Sequence, residues 1–128
     1  MGLLTREQFF DAAKNDIKTE KFFVAPLKGS VRIQSISATD KDLFEQTSRR
    51  GDGNIENLRA WLVAMSVVDE KGELIFHLED VEKIGKLSSS TIDIIVERVQ
   101  KLNKITDAEL EEAVKNSEGT PGISSDGE

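Results

Sequence analysis

Few side chains in this 128-residue chain are suited to covalent, acid–base or metal chemistry. It has one histidine, His77, and no cysteine. A zinc centre here would take most of its ligands from carboxylates, an uncommon arrangement. Thiolate nucleophiles and disulfides are excluded by composition. No serine lies in a Gly-x-Ser-x-Gly elbow or in the Ser and Lys pattern of β-lactamases. Arg50-Gly-Asp-Gly-Asn has two glycines but no following Lys-Ser/Thr and no preceding buried strand, so it reads as a loop rather than a phosphate cradle. The pair Arg49-Arg50 belongs to the same solvated loop. Asp69-Glu-Lys-Gly-Glu resembles part of a calcium loop without the full oxygen spacing, and a turn accounts for it. His77 falls where a helix should begin, and the acids Glu79, Asp80 and Glu82 suit the positive end of that helix. No catalytic, cofactor-binding or metal-binding residue is assigned, no cofactor is expected, and the chain is read as non-enzymatic.

Composition narrows the classes further. The length fits one domain, and 38% hydrophobic residues suffice for a core. No apolar run reaches the length of a membrane span, and the N-terminus lacks a signal-peptide pattern. The net charge of −7 argues against a general nucleic-acid binder, which needs a basic surface. With no tyrosine and 5% aromatics, base-stacking platforms are not indicated. The charge is uneven: residues 106–128 hold seven acids against one base. From Asn116 onward there is one aliphatic side chain among Gly, Ser and Pro, so 116–128 is expected to be a disordered acidic tail behind a single domain over 1–115.

The remaining pattern reads as local elements. Thr5 and Gln8 form a capping-box pattern that opens a helix to about Lys14, with Leu4, Phe9, Ala12 and Ala13 apolar. Residues 18–36 read as a β-hairpin: Val31 and Ile33 alternate with Arg32 and Gln34, Pro26 belongs at a strand end, and Gly29 is expected to supply the turn conformation. Phe22 and Phe23 are adjacent and must face opposite sides of a strand. Thr39-Asp-Lys-Asp opens a short helix with Leu43 and Phe44, and Ser48 to Asn54 is expected to be a loop. Asn54 is the expected cap of a helix carrying Ile55, Leu58, Trp61, Leu62 and Met65, the central core element. Val67-Val68 is expected to end that helix, with a short extended piece at Leu74-Ile75-Phe76. A helix from Leu78 to about Lys86 points Val81 and Ile84 inward. Ile92, Ile95, Val96, Val99 and Leu102 form another stripe, and Thr106 with Glu109 caps a last helix. The fold class is α+β: an N-terminal helix and β-hairpin followed by a bundle of four to five helices.

In this order the segments resemble the tail assembly chaperones of long-tailed (siphovirus-type) bacteriophages. The resemblance spans roughly residues 3–115. It rests on the opening helix after Leu4-Thr5, the hairpin ending Val31-Arg32-Ile33-Gln34-Ser35-Ile36-Ser37, and the block from Glu56 to Phe76. In that block a helix runs into Val68-Asp69-Glu70-Lys71-Gly72 and then an apolar pair. The acidic helix Glu79-Asp80-Val81-Glu82-Lys83-Ile84 and the close at Val99–Asn103 and Thr106–Glu112 complete it. Pro26-Leu27-Lys28-Gly29 departs from the Trp/Gly-rich turn often seen in such proteins.

The resemblance implies a protein that binds the tape-measure protein, keeps that long helical chain soluble and helps recruit the major tail (tube) protein. It implies action in the host bacterial cytoplasm and absence from the finished virion. Self-association is compatible with it, as is a longer frameshifted product. No nucleic acid, membrane or small-molecule substrate is expected. Physically, such a protein offers a modest apolar surface to client stripes that would otherwise aggregate, through weak contacts repeated along the client. The candidate contacts are Phe22 or Phe23 with the outer face of the hairpin, and then Phe9 or Phe10; the bland alternative places all four in the core. Two other classes compete: a structural tail component (a tube-completion or minor tail protein) retained in the virion, and a small DNA-binding regulator built on two late helices. The net charge counts against the second.

Overall fold

A computed structural model describes residues 2–50 and 55–117. The Gly-rich segment 51–54, including the expected cap Asn54, and the tail from 118 onward lie outside the described residues.

The elements follow from local chemistry. In α1 (Arg6–Asn15) the Thr5 hydroxyl accepts from the Gln8 amide at 3.2 Å while the Gln8 side chain accepts from the Thr5 amide at 2.9 Å. Strands β1 (Thr19–Val24) and β2 (Gly29–Gln34) form an antiparallel hairpin in which Phe22 faces Val31 and Lys21 faces Arg32. Between them Ala25–Leu27 makes a 3-10 turn around Pro26. The left-handed position is Lys28, with φ 54°, and not Gly29 as expected; Gly29 already pairs with Val24 as the first residue of β2. Helix α2 (Ala38–Glu45) is capped by Ser37, whose hydroxyl accepts from the Asp40 amide. It continues as a π-helical turn over Gln46–Arg50, so the loop expected over Ser48 to Asn54 is helical for its first three residues. The polar sequence tolerates burial there because the hydroxyls of Thr47 and Ser48 donate to the carbonyls of Leu43 and Glu45.

Helix α3 (Leu58–Ala64) starts later than the expected Ile55, after Asn57 in the left-handed conformation at φ 51°. Asparagine takes that conformation more readily than most residues. Leu58 and Ala60 to Ala64 are all buried, so α3 is the central core element, with Trp61 inside it. Val67 and Val68 do more than end this helix. They form β3, which pairs antiparallel to β2, with Val67 opposite Ile33 and Val68 opposite Arg32. The hairpin is thus part of a three-stranded sheet in the order β1-β2-β3. Asp69 to Glu73 is a turn: the Asp69 carboxylate accepts from the amides of Lys71 and Glu73, and Gly72 sits at φ 83°. Leu74 bridges back to Val68.

A 3-10 turn, Leu78–Asp80, follows His77 and leads into α4 (Val81–Gly85), which buries Val81 and Ile84. Helix α5 (Ser89–Asn103) buries Ile92, Ile95, Val96 and Val99, with Leu102 packed at the margin. Thr106 and Glu109 cap α6 (Asp107–Ser117), which buries Leu110 and Ala113. Residues 116 and 117, expected in the tail, complete this helix, and the Asn116 amide donates to the Thr47 carbonyl at 2.7 Å. The fold is mixed α+β. One core joins the inner face of the sheet to α2, α3, α4, α5 and α6.

Leu62 is fully buried at the centre of α3. Leu62→Ala is expected to cost about 3 kcal/mol or more through lost transfer energy and an unfilled cavity. Thr106→Ala, which removes only a helix cap, is expected to cost about 1 kcal/mol. Urea unfolding curves measure both.

Candidate partner-binding surface

Strand alternation decides which face each hairpin residue meets. Along β1, Phe22 and Val24 turn inward and are buried, while Thr19, Lys21 and Phe23 turn outward and are exposed. The inner side is held by Arg98 on α5. Its guanidinium lies 5.0 Å from the centre of the Phe22 ring and donates to the Glu20 carboxylate. At the other end of the hairpin, the Asn103 side chain accepts from the Ile36 amide and donates to the Val99 carbonyl, tying the end of β2 to α5. Of the strand pair, Phe22 is therefore a core residue at 7% exposure, and Phe23, at 63%, is the one available to a partner.

The helical pair behaves differently. Phe9 is 58% and Phe10 52% exposed, and α1 buries none of its residues. The two rings meet edge to face at 5.7 Å, and the Arg6 guanidinium lies 5.1 Å from the Phe10 ring. An apolar stripe at helical spacing ordinarily covers a core. Here the stripe faces solvent, so the expectation that all four phenylalanines are core holds for Phe22 alone. Among the described residues, seven of the twelve large exposed hydrophobics fall within the first 27 positions: Leu3, Leu4, Phe9, Phe10, Ile17, Phe23 and Leu27. Much of the exposed apolar surface thus lies in the first 27 residues, on α1, β1, the hairpin turn and the segments flanking α1.

Charge adds a feature that the overall composition conceals. Residues 18–34 carry Lys18, Lys21, Lys28 and Arg32 against the single acid Glu20, in a protein of net charge −7. Glu20 is engaged by Arg98 on the inner side. The outer face of β1 and β2 is therefore basic and partly apolar. It borders a groove of about 430 Å³ that also touches Val68, Asp69, Glu70 and Ile75. Register is the signal that would have found this face in advance, since Lys21 and Arg32 share it as paired and a one-residue slip would put them on opposite faces.

Other concave regions lie away from the sheet, and an open one of about 690 Å³ is lined by Glu56, Asn57, Leu78, Glu79, Val81 and Lys86 among others. A cleft of about 250 Å³ between α3, α4 and α5 is lined by Asn57, Leu58, Ala60, Gly85, Leu87 and Ile92, and its rim holds the Arg59–Asp93 ion pair at 3.8 Å. Among the described residues no group of three or more His, Cys, Asp or Glu side chains is placed to hold a metal ion. His77 precedes a helical turn, and its amide donates to the Asp80 carboxylate. No helix among the described residues is long and apolar enough to cross a membrane.

Burial separates the four phenylalanines experimentally. Phe22→Ala is expected to cost about 3–5 kcal/mol in urea unfolding. Phe9→Ala, Phe10→Ala and Phe23→Ala are each expected to stay within about 0.5 kcal/mol of the parent. Comparison of the chain with protein-family models, with curated proteins and with solved structures finds no match.

Proposed function

We propose that this chain is a tail assembly chaperone of a long-tailed bacteriophage, which binds the tape-measure protein, keeps it soluble and helps recruit tail-tube subunits. The reading starts from the sequence resemblance. One structural observation supports it: the large apolar side chains of α1, together with Phe23 and Leu27, are presented to solvent, while the rest of the chain closes a core. A soluble protein that keeps several aromatic rings exposed has a use for them. In this reading the N-terminal helix and hairpin handle the client, and the following helices form the bundle that carries them.

The energetics suit transient holding. Burying one exposed phenylalanine is worth about 1.5–3 kcal/mol. Association itself costs about 4–15 kcal/mol. Three exposed rings and a few aliphatic residues therefore give weak single contacts. Affinity comes from many copies along one long client, and release needs no energy source. The acidic remainder of the chain keeps the covered client soluble. The chaperone acts in the host cytoplasm and leaves before the virion is complete.

Co-expression with a fragment of the tape-measure protein from the same phage genome tests the reading. The parent chain is expected to keep that fragment in the soluble fraction and to co-purify with it. The triple variant F9S/F10S/F23S is expected to remain folded and to lose both effects. An equally insoluble fragment with and without the parent chain refutes the proposal. Stoichiometric peptides of this chain in purified virions refute it in favour of a structural tail component.

A further inference from the structure

The hydrogen-bonding direction along the sheet can be followed residue by residue. The Gln34 amide donates to the Ser66 carbonyl, toward β3, and the Ser35 amide donates to the Lys18 carbonyl, toward β1. Backbone direction alternates along a strand, so Val31 and Ile33 face β1, and their partners Phe22 and Glu20 use their backbone groups on β2. The backbone N–H and C=O of Thr19, Lys21 and Phe23 therefore point the other way, to the edge of the sheet. β1 is the terminal strand of that sheet, and all three residues are exposed. An edge of this kind is a template for an added strand.

Charge selects what can be added. Lys21 and Arg32 are direct cross-strand partners on the outer face, and neither forms an ion pair among the described residues. Like charges directly opposite each other are unfavourable. A strand laid against β1 would extend the row from Arg32 through Lys21 to its own residue, and a carboxylate there would meet Lys21, with the charge of Arg32 one strand behind it. One row further on, Phe23 stands beside the small Ser30, where an apolar side chain of the new strand would cover the ring. A second copy of β1 fits poorly. An antiparallel register centred on Lys21 sets Lys21 against Lys21. One centred on Glu20 sets Glu20 against Glu20. One centred on Phe22 leaves the two cations without an anion.

We propose that the open edge of β1 takes up an extended segment of a partner protein as a fourth, antiparallel strand, and that the segment reads apolar, any residue, acidic opposite Phe23, Phe22 and Lys21. The backbone bonds of Thr19, Lys21 and Phe23 supply affinity, and Lys21, Arg32 and Phe23 supply register. This site stands on the sheet alone and holds whether or not the client is a tape-measure protein.

The test uses the full chain labelled for NMR and the capped peptide Thr-Val-Thr-Phe-Thr-Glu-Thr. Saturable binding is expected to slow amide exchange at Thr19, Lys21 and Phe23. Replacing the peptide's Glu by Lys is expected to weaken binding about tenfold. In the variant Lys21→Glu the preference between the two peptides is expected to reverse. Lys21→Ala, which also reports if the charge reversal disturbs folding, is expected to lose most of the discrimination. Absence of binding, binding without protection of those three amides, or equal affinity for the Glu and Lys peptides overturns the proposal. So does self-association of Lys21→Ala in a chain that takes up no peptide, since Lys21 would then serve only to guard the edge.

Discussion

The rest of the molecule depends on the all-round burial of one short helix. In α3 every residue except Arg59 is buried, so no side of the helix can face water at acceptable cost. It must sit among other elements, and α4, α5 and α6 supply those walls with Ile84, Ile92, Val96, Leu110 and Ala113. The chain leaves α3 through Ser66 directly into Val67 and Val68, both buried, and they pair beside β2. The central helix thus carries the third strand with it and fixes which end of the sheet is closed. The Asp69–Glu73 turn then folds back so that Leu74 bridges Val68, while the far strand, β1, is left at the edge.

Helical spacing makes much of this legible in the sequence. The stripes of α3 and α5 recur at the right interval, and the Thr5 and Thr106 boxes place two helix starts to the residue. Alternation assigns Phe22 and Phe23 to opposite faces. What spacing does not carry is pairing. A two-residue strand such as Val67-Val68 shows no alternation, because both side chains are buried, Val67 in the core opposite Ile33 and Val68 outside that core opposite Arg32. The π-helical turn escaped because Gln-Thr-Ser-Arg-Arg has no apolar side chain, and the burial of Thr47 and Ser48 rests on hydroxyl-to-carbonyl bonds. The hairpin turn misled for a related reason. Glycine is favoured at left-handed positions, but the 3-10 turn set by Pro26 places that position one residue earlier, on Lys28.

The candidate surface was half legible. The amphipathic pattern of α1 gives a helix and names its apolar face, yet a stripe looks the same whether it covers a core or waits for a partner. Which of these holds depends on the other elements and on whether they leave room beside it. Here the core is already closed by later helices, so α1 has no inner surface to cover, and its phenylalanines settle against each other and against Arg6. The basic outer face of the hairpin is invisible in the net charge because the acids elsewhere outnumber it.

Two kinds of contact meet at this end of the molecule, and they make different demands. The rings of α1 gain by leaving water in almost any orientation, so they select poorly and hold weakly. The edge of β1 offers directional bonds at a fixed spacing, beside cations already in position. Backbone pairing there exchanges water for peptide partners at little net gain per bond, so the choice of segment falls to the side chains of Lys21, Arg32 and Phe23. In the proposed reading, a helical face that tolerates many sequences, separated by three residues from a strand edge that prefers one pattern, would let a single short stretch of chain both capture an apolar partner and register it. Under that proposal neither surface need be strong, and both are open in the fold: α1 buries none of its residues and β1 is a terminal strand.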